Sequence, residues 1–331
     1  MKTALTELLN LSTPVVQAPI GSATCPELAA AVSNAGGLGF LALSWTDPEA
    51  CRQQIRQTRA LTTRPFGVNL VLDFDQDERV RLCIEERVPI LSFFWGNSEK
   101  YLPELKAAGI RVCQTIGTAE EGQHYEALGV DLLLAQGWES GGHVWGQVSS
   151  LVLIQALVRS VRIPIVACGG FVDGRGLVAA LSLGAAGICM GTRFLMSREA
   201  RIEPEYARLL SRSGSSDTLY AKDLFNLGWE NAPHRVLKNS TTDAWEQAGR
   251  PSGQQRPGAG TQIGTDRHGK PILLYSDNNP ILGTTGDLER MALYAGQSVG
   301  LVEEVVSAAT IVEQTTTEAR SLLEEMARRW K

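Results

Sequence analysis

Eight short apolar runs, each followed by a stretch with helical signals, constrain this chain more than any other feature. The runs cover residues 15–20, 38–43, 66–72, 89–94, 110–116, 131–136, 163–168 and 187–190. Each has the length of a strand, and most are apolar on both faces, as parallel strands covered by helices are. The intervals carry start and stop signals. Thr24 and Glu27 read as a capping box before an apolar stretch that ends at Gly36-Gly37. Asp47-Pro48 is an N-cap followed by proline at the first helical position. Thr118 and Glu121 form a second capping box, and Asp173 caps a segment that stops at Gly184. Eight βα units in succession predict a closed (β/α)8 TIM barrel, an α/β fold. A doubly wound open sheet is the alternative, but no G-x-G-x-x-G follows the first run.

The 331 residues read as one TIM-barrel domain, with the barrel core at about 14–195 and a loop and helical extension at about 196–331. That extension is longer than one closing helix requires. Residues 249–270, rich in Gly, Pro and Gln, read as a long loop, functional or mobile. Residues 311–331 read as a charged surface helix docked on the barrel. A net charge of −5 without blocks of like charge argues against nucleic acid or an anionic membrane as partner. No apolar run is long enough to span a membrane, and the N-terminus lacks the pattern of a signal peptide. The six cysteines include no C-x-x-C pair, and they read as buried, reduced thiols of a cytoplasmic protein.

Barrel enzymes place their chemistry at the C-terminal ends of the strands. There the chain offers Ala18-Pro19-Ile20, then Asn69, Gln114 and Gln136 within apolar runs, and finally Gly169-Gly170 and Gly191-Thr192. A buried amide left unpaired costs about 1–3 kcal/mol, so each of the three needs a partner. The partner is either a nearby backbone group or a ligand ring with alternating donors and acceptors. Glycines after the seventh and eighth strands, with the helix start after Asp173, suit a phosphate cradle. FMN, a phosphosugar or a nucleotide would fit both features.

One histidine stands out from the four. His143 lies in AQGWESGGHVWG, just past the sixth strand, where glycines clear space around the imidazole and Trp138 and Trp145 could shield it. An imidazole titrates near neutrality and can take a proton from a carbon acid. His124 falls mid-helix, His234 in APHRVL and His268 in the Gly-rich loop. No histidine pair has metal-ligand spacing, so no metal is expected.

Several segments together resemble the nitronate monooxygenases, a family that also includes the FMN-dependent type II enoyl-ACP reductases. They are QAPI, ELAAAVSNAGGLGFL, AQGWESGGHVWG, ACGGFVDGRGLVAALSLGAAGICMGTRFL, NAPHRVLKNSTTDAWE and YAGQSVGL. The resemblance runs from about residue 14 to 300. It implies a TIM barrel holding FMN non-covalently, with His143 as the catalytic histidine. It implies that Ala18, Pro19, Ile20, Asn69, Gln114 and Gln136 line the ring and ribityl chain. Gly170, Gly191 and Thr192 would hold the phosphate, with Gly142 and Gly169 close by. Gly296 and Gln297 would fold back toward the flavin. Ser140 departs from the family, which more often has alanine there. The expected activity is oxidation of alkyl nitronates or nitroalkanes by O2 to carbonyl compounds and nitrite. The alternatives are an NAD(P)H-dependent enoyl-thioester reductase, a biosynthetic tailoring oxidoreductase, or a non-catalytic barrel binding a phosphorylated ligand. The expected partners are a small-molecule substrate and O2, and a homodimer is compatible with the sequence.

Overall fold

In a computed structural model, which describes residues 1–329, the eight runs form one parallel sheet closed on itself. The strands are β1 (Val15–Gln17), β2 (Gly39–Ala42), β3 (Phe66–Val71), β4 (Ile90–Phe94), β5 (Arg111–Ile116), β6 (Leu132–Gln136), β7 (Ile165–Cys168) and β8 (Gly187–Met190). Neighbours in the chain pair in parallel from β2 to β8, and β8 returns to β1. The β1–β2 seam is thinner. Val16 bridges Leu38, and the Gln17 side chain accepts the Phe40 N–H at 2.8 Å, which satisfies a backbone donor the ladder leaves over.

Strand alternation sends side chains to two environments. Val16, Phe40, Ile90, Cys113, Leu134 and Val166 fill the barrel interior. Helix Ala4–Leu9, not foreseen in the sequence, closes the N-terminal end by adding Leu5 and Leu9 to that cluster. The opposite parity, including Val68, Leu70, Phe93, Val112, Ile116 and Leu133, packs under the surrounding helices. All six cysteines are buried and unpaired. Among the described residues no helix is long and apolar enough to cross a membrane.

Three of the four helix starts follow the sequence. Asp47 accepts from the Glu49 N–H, Thr118 and Glu121 close a reciprocal box, and Asp173 accepts from the Gly176 N–H. The fourth does not. Helix Pro26–Asn34 is capped by the Cys25 sulfur, which accepts from the Leu28 N–H. Thr24 is diverted to tie the Gly21 carbonyl to the Ala42 N–H.

After β8 the chain builds a cap on the barrel. Strand Thr218–Ala221 pairs with His234–Leu237, and the latter also pairs with residues 142–143 of the β6 loop. Segment 249–270 is not a free loop. Arg256 is buried within it, donates to the Leu224 carbonyl at 2.6 Å and to Asn226 Oδ1 at 2.7 Å, and lies over the Tyr275 ring. Residues Gln262–Thr265 enter a second small sheet with Pro271–Leu273 and Thr285–Gly286. The last helix, Ala308–Arg329, buries Ala308, Ile311, Val312 and Ala319 against the barrel layer. Residues 330 and 331 of the expected terminal helix lie outside the described residues.

Candidate active site

The β6 loop is held from three sides. Gln136 points into the barrel mouth, but its amide is spent on this loop: Nε2 donates to the His143 carbonyl at 3.0 Å and Oε1 accepts the Trp145 N–H at 2.9 Å. From the extension, Arg235 and His234 pair with Gly142 and His143. From further on, Gly296 packs so closely that a Cβ on Gly141 would overlap the backbone of Ala295 and Gly296. Gly142 takes φ +74°, a region side chains rarely adopt.

This scaffold fixes His143 beneath aromatic rings. Trp229 lies 4.1 Å away between ring centroids, Tyr294 5.3 Å, His234 5.9 Å and Trp95 6.4 Å. The residue as a whole is half-buried, yet its Nε2 is sealed from water and has no hydrogen-bond partner in the chain. Burial holds the imidazole well below its ordinary pKa, and nearby His234 adds to the effect. His143 is therefore neutral at pH 7, and a neutral imidazole can accept a proton. His234 is spoken for: Nε2 accepts the Phe225 N–H at 3.2 Å, so Nδ1 carries the proton and donates to the Ala232 carbonyl at 3.0 Å. Burial lowers its pKa to about 4. Trp138, expected to shield His143, instead packs with Arg235 and Tyr220. The rings that cover His143 come from residues 229 and 294, which no local sequence signal ties to it.

Around the mouth the expected residues divide. Asn69 faces inward, since its neighbours Val68 and Leu70 face out, and its buried Oδ1 has no partner. It lies within β3, not at its end. Ser92 Oγ beside it and Ser140 Oγ are likewise buried and unpartnered. Gln114 does not face the mouth. It shares the outward parity of Val112 and Ile116, accepts from Ser98 Oγ at 2.7 Å and donates to the Thr115 carbonyl. That removes it from any ligand in the barrel. Ala18, Pro19 and Ile20 are half-buried at the β1 end, with Ala18 and Ile20 against Gly191.

The turns after β7 and β8 lie side by side, because Cys168 and Cys189 are partners across the two strands. Gly169 and Gly170 take φ +95° and +82°. Among the described residues no acceptor takes up the N–H groups of Gly170, Gly191 and Thr192. Gly296 reaches the β8 turn, donating to Thr192 Oγ1 at 3.0 Å. Gln297 joins through its backbone, which donates to the Glu139 carbonyl, while its side chain is exposed. The helix start after Asp173 is closed to a phosphate, since Asp173 and Glu318 carboxylates already take the Gly176 and Gly174 N–H groups. Glu139 does the same at Ser150. Of these three candidate anion sites, the β7 and β8 turns are the one whose N–H groups remain free.

Fold and site define a class: a (β/α)8-barrel enzyme with one neutral base over a mouth lined by unpartnered polar atoms and free backbone N–H groups. The nitronate monooxygenase family model matches residues 2–78 and 73–318. The chain belongs to that family and is an oxidoreductase. It is 33% identical, over 96% of both chains, to (3aS,4S,5R,7aS)-5-hydroxy-7a-methyl-1-oxo-octahydro-1H-indene-4-carboxyl-CoA dehydrogenase of Rhodococcus jostii. It is 30% identical to nitronate monooxygenase of Paraburkholderia phytofirmans, over 98% of this chain and 97% of the other. The solved structure of FabK from Thermotoga maritima superposes with a TM-score of 0.84 at 34% identity, over 99% of each chain.

Proposed function

We propose that the chain is an FMN-dependent oxidoreductase that oxidises carbon acids, with alkyl nitronates and nitroalkanes as substrates and O2 as oxidant. The observation that carries this reading is the neutral His143 imidazole with its sealed, unpartnered Nε2. A nitroalkane gives up its α-proton to such a base, and the ring then stays beside the resulting anion.

The residues fit FMN. A phosphoryl group would take the N–H groups of Gly170, Gly191 and Thr192, and a polar ring would supply partners to Asn69 Oδ1 and Ser92 Oγ. Bound FMN supplies the electron transfer from substrate to O2. The chain's own residues do the rest. His143 holds the proton, Gln136 fixes the loop that aims it, and Trp229 and Tyr294 keep water from it.

The full-length similarity to a CoA dehydrogenase supports a second reading, in which the carbon acid is an acyl thioester and the other redox partner a nicotinamide. Anaerobic mixing of the purified flavoprotein with a nitronate, and separately with NADPH, separates the two. Rapid loss of the flavin's visible absorbance with the nitronate alone is the expected result. Bleaching by NADPH alone would replace the first reading with the second.

A further inference from the structure

We infer that an aromatic wall at the barrel mouth selects substrates whose non-reacting part is a bulky hydrocarbon, in preference to short nitroalkanes. The inference rests on the carbon-acid reading above.

Four of the chain's seven tryptophans gather here. Trp45 follows β2, Phe74 follows β3, Trp95 follows β4, Trp145 follows His143, and Trp229 crosses from the extension. Trp45, Phe74 and Trp229 meet edge to face, with centroids 5.6–5.7 Å apart. Trp229 continues to Trp95 at 5.0 Å and to His143 at 4.1 Å. The rings therefore run unbroken from solvent, where Trp45 is 52% exposed, to the base. Their polar edges are turned away. Trp229 Nε1 donates to Asp73 Oδ2 at 2.7 Å, and Trp145 Nε1 to Glu121 Oε1 at 2.8 Å. Trp95 and Trp229 are themselves buried, so the apolar ring surface open to solvent is that of Trp45 and part of Phe74, with Trp229 packed between them and His143. Trp95 reaches its place only by adopting φ +60°, a conformation that disfavours a bulky residue. A chain handling only two- or three-carbon substrates has no use for exposed indole at its entrance. A ring-sized hydrocarbon would cover Trp45 and Phe74 while its reacting carbon sat under His143.

The test compares two secondary carbon skeletons, one open and one cyclic, that differ by three carbons. Isobutyrate and cyclohexanecarboxylate are unreactive, planar-anion mimics of the nitronates of 2-nitropropane and nitrocyclohexane. Calorimetric titration of the FMN-loaded enzyme should show the cyclohexyl anion binding at least about tenfold tighter. The kcat/KM ratio for the two nitronates should follow. In Trp45→Ala both ratios should fall to about threefold or less, with FMN content intact, and Trp45→Phe should restore them. Equal binding by the wild type, or an undiminished preference in Trp45→Ala, overturns the inference. Loss of FMN from Trp45→Ala also overturns it, by assigning the wall to the cofactor. Because the carboxylates do not react, the wall is tested even if neither nitronate is turned over, a result that would sink only the functional reading.

Discussion

The cost of keeping two imidazoles uncharged in the cap should appear in the pH dependence of stability, and His234 allows a magnitude. Its pKa is lowered from 6.5 to about 4, chiefly by burial. At about 1.4 kcal/mol per unit this corresponds to about 3 kcal/mol. For a base with a depressed folded pKa, the unfolded chain binds the proton first. Stability is therefore intact above pH 6.5 and is lost as pH falls toward 4. The wild-type curve alone would hide this. Burial raises Asp277 to about 6, so this carboxyl takes up a proton in the folded state first and adds stability over much of the same range. The difference between wild type and His234→Gln isolates the imidazole. Urea melts at pH 7.5, 6.5, 5.5 and 4.5 should show the wild-type advantage shrinking by about 2.5 kcal/mol, at up to about 1.4 kcal/mol per pH unit. A difference that stays flat across that range would refute the claim that His234 is held neutral by burial.

Three further outcomes follow from the site. Gly141→Ala must push Ala295 and Gly296 off the β6 loop and should cost about 1–3 kcal/mol, whereas a Cβ on Gly142 meets nothing within 4 Å and pays only for its positive φ, about 1 kcal/mol; denaturant melts of the two variants check the order. Asn69→Leu should weaken FMN binding at least tenfold, while Gln114→Met should leave the FMN dissociation constant within about twofold; fluorescence titration of apoprotein reads both. Gln136→Leu strands the Trp145 N–H and the His143 carbonyl and should lower kcat about tenfold or more while FMN stays bound, which steady-state oxygen uptake and the visible spectrum would reveal.

The amides show where sequence reading stops. Asn69, Gln114 and Gln136 look equivalent as polar residues in apolar strands, and which face each occupies depends on strand parity. Parity can be counted only after one residue of the strand is known to face inward, and these strands are apolar on both faces. Asn69 kept a free oxygen at the mouth, Gln114 turned outward to Ser98, and Gln136 served the loop backbone. The barrel itself was legible because eight runs and their caps repeat one local pattern. Thr24 was misread because Cys25 and Thr24 both can cap, and only the position of Ala42 decides between them. Segment 249–270 is largely the loop its composition predicts, but its anchoring leaves no local signal, because it depends on a single arginine whose acceptors lie about thirty residues upstream.

The two halves of the site differ in how sequence encodes them. The cradle is made of backbone, so it appears as missing side chains: Gly141, Gly169, Gly191 and Gly296 lie where a Cβ would meet a neighbour or crowd the mouth. That requirement is local and leaves a glycine signature. The wall is made of side chains from four barrel loops and from Trp229, and each aromatic there looks like any core residue. A glycine signature can thus persist while the rings are exchanged, because the two requirements fall on different residues. The relatives of this chain include both a nitronate monooxygenase and a CoA dehydrogenase. On the inference that the aromatic wall selects the substrate, substitutions at Trp45, Phe74 and Trp229 should discriminate between candidate substrates, whereas substitutions in the glycine turns should abolish turnover of them all.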